Sequence, residues 1–163
     1  MPAPAQRRSC RLKLPSVPGT YALWMLSAGN ADIQIGRLGR LRTRPGLYVY
    51  VGSAHGPGGL RARLSHHCRV SPRPRWHIDY LRTVLAPRAV WYTRDPLPRE
   101  HAWARLFAAA PESSMPLMRF GASDCRCAAH LFFFARRPGL GEFRRRACRC
   151  YEGHAPIAAY RFG

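Results

Sequence analysis

Between Gly19 and Phe134 short apolar runs alternate with breaks of Gly, Pro, Asn and Arg. The run "TYALWML" from Thr20 is rich in β-formers and closes on the turn cluster "AGNAD". "IQIGRLGRL" alternates apolar with polar or small residues, as a half-buried strand does, and "RPG" turns the chain into a further strand, "LYVYVG". "SAHGPGG" holds too much Gly and Pro for a helix or a central strand and predicts a loop. Leu60, Leu64 and Cys68 then recur every four residues, predicting a short amphipathic helix with Arg61 and Arg63 beside the stripe. "WHIDYLRTVLA" predicts a second helix between Pro74 and Pro87, "AVWYT" a short strand, and "PREHAWARLFAAA" a helix with Pro98 at its start. "HLFFFARR" predicts a last buried strand.

The implied architecture is α/β: one domain over residues 19–137, with a small mixed or antiparallel sheet flanked by helices. Residues 1–18, "MPAPAQRRSCRLKLPSVP", predict a basic, Pro-rich tail. Past Pro138 the composition turns to Gly, Arg and Cys, which predicts a loosely ordered tail over 138–163. No internal repeat is visible.

Charge sharpens this picture. Of 163 residues, 27 are basic and 8 acidic, giving a net charge of +19 and a pI near 11.3. Such an imbalance repels itself in the compact state and favours polyanions, nucleic acid first. Twenty-six of the basic residues are Arg, a bias that a GC-rich genome also produces. At 47 % hydrophobic the chain can bury a core. The six cysteines do not fit a secreted disulfide scaffold, no apolar run approaches the ~18 residues of a membrane span, and none follows Met1 as a signal core. These features predict a protein of the cytoplasm, at the nucleoid in a bacterium or archaeon, with no membrane partner.

Chemistry concentrates in "YVYVGSAHGPGGLRARLSHH", Tyr48 to His67: a tyrosine near a strand end, a glycine turn, then Arg63 and His67 one helical turn apart. Together with "GTY" at 19–21 this resembles the GIY-YIG nuclease superfamily. "GTYAL", "GRLGR", "PGLYVYVGSAHGPGGLRARLSHH", "RWHIDYL", Glu100 and "FGASDCRCAAHLFFF" resemble more closely one branch of it, a domain of unknown function. Some archaeal members of that branch are fused to a repair enzyme resembling endonuclease III, which points towards DNA repair and a repair-complex partner.

The resemblance implies metal-dependent hydrolysis of a DNA phosphodiester, with DNA favoured over RNA and one Mg²⁺ or Mn²⁺ as cofactor. It places Tyr21 and Tyr50 at the two motif tyrosines, Arg63 and His67 on the catalytic helix, and Glu100 at the metal-binding glutamate. His77 is a further candidate on phosphate or metal. The chemistry agrees with these assignments. A guanidinium forks onto phosphate oxygens, and a lone carboxylate suits Mg²⁺, which keeps most of its waters. A phenol of pKa ~10 orients water well but deprotonates it only when neighbouring positive charge lowers that value. His67, four residues from Arg63, shares its helix face and can shuttle a proton. Taken singly, each residue also reads as an ordinary strand aromatic, a helix-end carboxylate or a solvated face.

Further residues are weighed beside these. Asp79 either joins the site or caps its helix. Thr20 stands where the superfamily has Ile, harmless if the side chain only packs. Tyr21 and Tyr50 are separated by an insert expected to add a strand and turn at the sheet edge, whose Arg37, Arg40, Arg42 and Arg44, with Arg61, offer phosphate contacts. The glycines around Gly58 and Gly59 can bring N–H groups to a phosphate. Asp124, Cys125 and Cys127 of "SDCRCAAH" are possible further site residues, and "CRCYEGH" at 148–154 repeats their Cys-x-Cys theme. Structural zinc favours Cys-x₂₋₄-Cys, so zinc is not expected. The alternative is a nucleic-acid-binding module on the same fold that does not cleave. Oligomeric state is not legible in the sequence.

Overall fold

The computed structural model describes residues 12–163. Its centre is β1, Thr20–Ser27, whose eight residues are almost all buried because both of its faces are covered. β4 (Gly46–Ser53) and β5 (Ala86–Thr93) flank it; β6 (Leu131–Phe134) and β7 (Ile157–Arg161) are the outer strands, in the order β6-β4-β1-β5-β7. Every neighbouring pair is antiparallel.

Alternation along β1 sends its side chains to two separate cores. Tyr21, Leu23 and Met25 face Leu60 and Leu64 of α1 (Gly59–His67) and Ile78 of α2 (His77–Leu81). Ala22 and Trp24 face the opposite way, onto Trp103 and Phe107 of α3 (Glu100–Ala108) and Phe143 of α4 (Leu140–Cys150). Aromatic contacts dominate that second core: Trp24 and Trp91 centroids lie 5.0 Å apart, and Phe107 stacks on Phe143 at 4.7 Å. The expected α/β domain, a small sheet with helices on both faces, is what forms.

Three local expectations fail. The segment past Pro138 is not a loose tail: it supplies α4 and β7, and Arg144 ties them by donating to the Ile157 carbonyl. Phe143 and Ala147, four apart, are the buried stripe of α4, and the surrounding Arg and Cys hide it from a composition reading. The insert does not extend the main sheet. It folds as its own hairpin, β2 (Ala31–Ile35) and β3 (Gly39–Thr43), burying Ile35 and Leu41 in the same core as Ile78. Its turn falls at 36–38, closed by the Leu38 N–H on the Ile35 carbonyl, within a run whose alternation reads as one strand. Finally, α2 is a single short helix ending at Leu81, well before Pro87.

At the N-terminus, the expected tail over 1–11 lies outside the described residues. Residues 12–18 pack in part: Leu12 and Leu14 are buried, Lys13, Ser16 and Pro18 are exposed, and Arg61 Nε donates to the Leu14 carbonyl. Among the described residues no helix is long and apolar enough to cross a membrane.

Candidate functional site

The register of β1 on β4 sets the two tyrosines. Tyr21 pairs with Gly52 and Leu23 with Tyr50, so both phenols rise from one sheet face on neighbouring strands, centroids 6.4 Å apart. Tyr21 lies directly over Gly52, where a Cβ would come 2.2 Å from the phenol oxygen. Glycine is needed there for the ring to fit. α1 packs above with Leu60, Leu64 and His67 on its buried side. His67 therefore points inward: its Nε2 lies 2.6 Å from the Tyr21 hydroxyl, and its ring meets Tyr50 edge-on at 5.8 Å.

Tyr21 and His67 are each only 1 % exposed. Burial, with Tyr50 beside it, pushes Tyr21 well above the usual phenol value. Burial, aided by His66 and Arg63, pushes His67 down to about 3. The pair is neutral and buried, with both rings against Tyr50. Tyr21→Phe leaves His67 Nε2 buried without its partner and is expected to cost about 1–3 kcal/mol, read from urea midpoints. Acid should act through the same histidine. The unfolded ring takes a proton near its ordinary pKa of about 6.5, whereas the folded ring resists until about pH 3. Its contribution is whole above that ordinary value and fades as pH falls between the two, by at most about 1.4 kcal/mol per unit. A urea midpoint unchanged between neutral pH and pH 5 would contradict this placement.

Asp79 caps its helix, and with His66 and His67 it also forms a group whose ligand atoms lie within 4.8 Å of one another. Its Oδ2 accepts the N–H groups of Arg75 and Trp76, and its Oδ1 lies 2.9 Å from His66 Nε2. Although burial pushes its carboxyl up, those bonds hold it below the usual range. The loop thus pinned places Trp76 under the Arg63 guanidinium, 4.5 Å from its centroid. Next along, His77 Nδ1 accepts the Gly121 N–H at 2.8 Å, and burial lowers its pKa. Its Nε2 therefore carries the proton.

Glu100 arrives from the other side, at the first turn of α3. Two features that sequence reasoning missed anchor that turn: Thr20 Oγ1 accepts the Arg99 N–H, and the buried Arg99 Nε–Asp95 Oδ2 pair closes at 2.8 Å. Thr20 does more than pack. Tyr50, Trp76, His77, Glu100, Asp124 and Cys125 are among the residues lining one pocket of about 250 Å³. Burial pushes Tyr50 above the usual phenol value, Glu100 adds to the rise, and Arg63 opposes it. Glu100 is 24 % exposed, and its Oε1 lies 2.8 Å from His130 Nδ1.

Other sequence candidates fall elsewhere. In the α1 glycine turn the N–H groups of Gly59, Leu60 and Arg61 already bond the carbonyls of Gly56, Val17 and Pro15, and are not free for a phosphate. Gly59 is required because a Cβ there would lie 2.3 Å from the Val17 oxygen. Arg37, Arg40, Arg42 and Arg44 sit on or beside the hairpin and do not line the pocket. Arg42 lies 3.8 Å from Asp32, and Arg44 sits 3.9 Å over the Phe133 ring. Cys148 and Cys150 are exposed on α4, apart from Cys125 and Cys127. Cys127 instead gathers with Cys125, His101 and His130. Nothing local in the sequence connects His101 to a Cys-x-Cys pair far along the chain.

A family model described as domain of unknown function DUF123 matches residues 20–151. The chain belongs to the DUF123 family. The DUF123 match takes in Tyr21, Tyr50, Arg63, His77, Glu100 and the cysteine loop, and it extends through α4. No curated protein and no solved structure matches this DUF123 chain.

Proposed function

We propose that this chain is a metal-dependent endonuclease of the GIY-YIG type that hydrolyses DNA phosphodiester bonds. The observation that carries the reading is convergence: Tyr50 from β4, His77 from α2 and Glu100 from α3 line one pocket, with Arg63 of α1 close enough to bias Tyr50. The Arg-rich composition and net charge of +19 suit a polyanionic substrate.

The residues present fit one Mg²⁺ or Mn²⁺. Glu100 is a partly exposed hard-oxygen donor on the wall of a pocket with room for the waters such an ion keeps. When bound, the ion supplies positive charge for the oxygens of the scissile phosphate. Arg63, stacked on Trp76, supplies a fork for the non-bridging oxygens. His77 offers its Nε2–H as a donor to phosphate. Tyr50, a neutral phenol at ordinary pH, hydrogen-bonds and orients the attacking water; Arg63 is the chain's own influence favouring its deprotonation. Tyr21 and His67 fix the Tyr50 ring.

The test is a cleavage panel with the purified full chain: labelled duplex, flap, fork, bubble and mismatched DNA, with RNA counterparts. Strand scission should require Mg²⁺ or Mn²⁺, stop on chelation and return with Mg²⁺ alone. Salt-sensitive binding across the panel with no metal-stimulated scission would instead establish a binding module and end the hydrolase reading.

A further inference from the structure

The loop between α3 and β6 gathers a donor set of a different kind from the hard oxygen of Glu100. One ligand atom from each of His101, Cys125, Cys127 and His130 lies within 4.8 Å of every other. Two sulfurs and two imidazole nitrogens are a soft set, suited to zinc and unsuited to Mg²⁺. Tetrahedral zinc, with Zn–S about 2.3 Å and Zn–N about 2.0–2.1 Å, sets its ligand atoms roughly 3.3–3.8 Å apart. Cys125 Sγ and His130 Nε2 already stand at 3.5 Å. We propose that His101, Cys125, Cys127 and His130 form a structural zinc site that braces the wall of the pocket.

The loop backbone beside both thiols is clamped. The Arg119 guanidinium donates to the carbonyls of Ala122, Cys125 and Cys127, while the Arg119 N–H and His130 N–H clasp Ala128 and Phe120. A long cationic side chain holding three carbonyls of one short loop fixes its backbone before any ion arrives. A bound zinc ion takes both thiols as thiolates.

His130 connects this site to Glu100. It is 1 % exposed, and its Nδ1 approaches Glu100 Oε1 at 2.8 Å yet meets no acceptor at hydrogen-bond geometry. A metal on Nε2 makes Nδ1 the donor and turns the ring by its ligand bond, giving the carboxylate–histidine–zinc relay by which outer carboxylates orient metal-bound imidazoles. Zinc would thereby hold the Glu100 carboxylate in place. The set escaped the spacing rule because Cys-x-Cys supplies only half of it; the histidines come from α3 and from the edge of β6.

Metal analysis of full-length protein, purified without chelator, should find about one zinc per chain. Apoprotein reloaded with Co²⁺ should show the intense visible bands and thiolate charge-transfer absorption of tetrahedral S₂N₂ coordination. Cys125→Ser/Cys127→Ser should lower zinc content at least tenfold, and Cys148→Ser/Cys150→Ser should keep it. If the first double variant does not fold, His101→Ala decides through its cobalt spectrum, which should lose tetrahedral intensity. Zinc-free protein that gives no tetrahedral cobalt spectrum overturns the proposal, as does full zinc retention in Cys125→Ser/Cys127→Ser. These readouts are independent of scission: a zinc-loaded chain that leaves DNA intact removes only the hydrolase reading, and a zinc-free chain that cuts removes only this site.

Discussion

Glu100→Gln is expected to reduce Mg²⁺-dependent scission by roughly a hundred- to thousand-fold, the scale on which removing one preorganised charge from a transition state acts. The substitution is nearly isosteric. It keeps an oxygen at the position facing His130 and deletes only the charge, and since Glu100 is 24 % exposed no sealed ion is left unpaired. The melting temperature should therefore shift little. A second readout separates loss of the metal ligand from general damage. Glu100 is one of the influences raising Tyr50, so its neutralisation should lower the Tyr50 pKa in an ultraviolet titration. Activity lost while that phenol becomes more acidic shows that the surroundings of Tyr50 persist and that scission needs the Glu100 charge. Scission that survives the change locates the chemistry elsewhere.

Arg63→Ala should have an effect of similar size, about 10²–10³ in kcat, with the fold intact. Arg63 stacks on Trp76, which is itself 42 % exposed, so truncation opens no core cavity. The chemical losses are the phosphate fork and the positive charge that opposes the rise of Tyr50. Arg63→Lys should recover little, since an ammonium carries charge but neither forks nor stacks as a guanidinium does. The salt dependence of DNA binding should fall by about one unit of slope, the signature of one phosphate contact. An unchanged rate in Arg63→Ala alongside unchanged salt dependence would remove Arg63 from the site.

These two variants probe residues that the sequence pattern names well, and the reason is local. Arg63 lies on a helix whose Leu60 and Leu64 repeat reads directly, and Glu100 opens another whose Pro98 marks the start. His67 is equally visible as a residue type, yet its burial is not. An i+4 relation to Arg63 suggests a shared outward face, whereas α1 turns His67 into the core beside Leu64. Helical spacing specifies which residues neighbour one another and leaves open which side the tertiary fold covers. The same gap explains Asp79, whose two oxygens satisfy a loop and a histidine that only folding brings near, and the glycine turn, beside which the Leu60 and Arg61 N–H groups are taken by the Val17 and Pro15 carbonyls.

What the sequence determines alone is everything carried by short-range pattern: the β1 and β4 strands, the α1 and α3 helices, the excess of Arg, and the presence of tyrosine, guanidinium and carboxylate at recognisable positions. The fold decides the rest. It recruits α4 and β7 from a segment whose composition looks disordered, because pairing with β5 and one Phe–Ala stripe outweigh local content. It seals Tyr21 and His67 while leaving Glu100 open, and it brings His101 to cysteines more than twenty residues away in sequence. Burial, register and ligand geometry are properties of contacts between distant segments, so no window along the chain contains them.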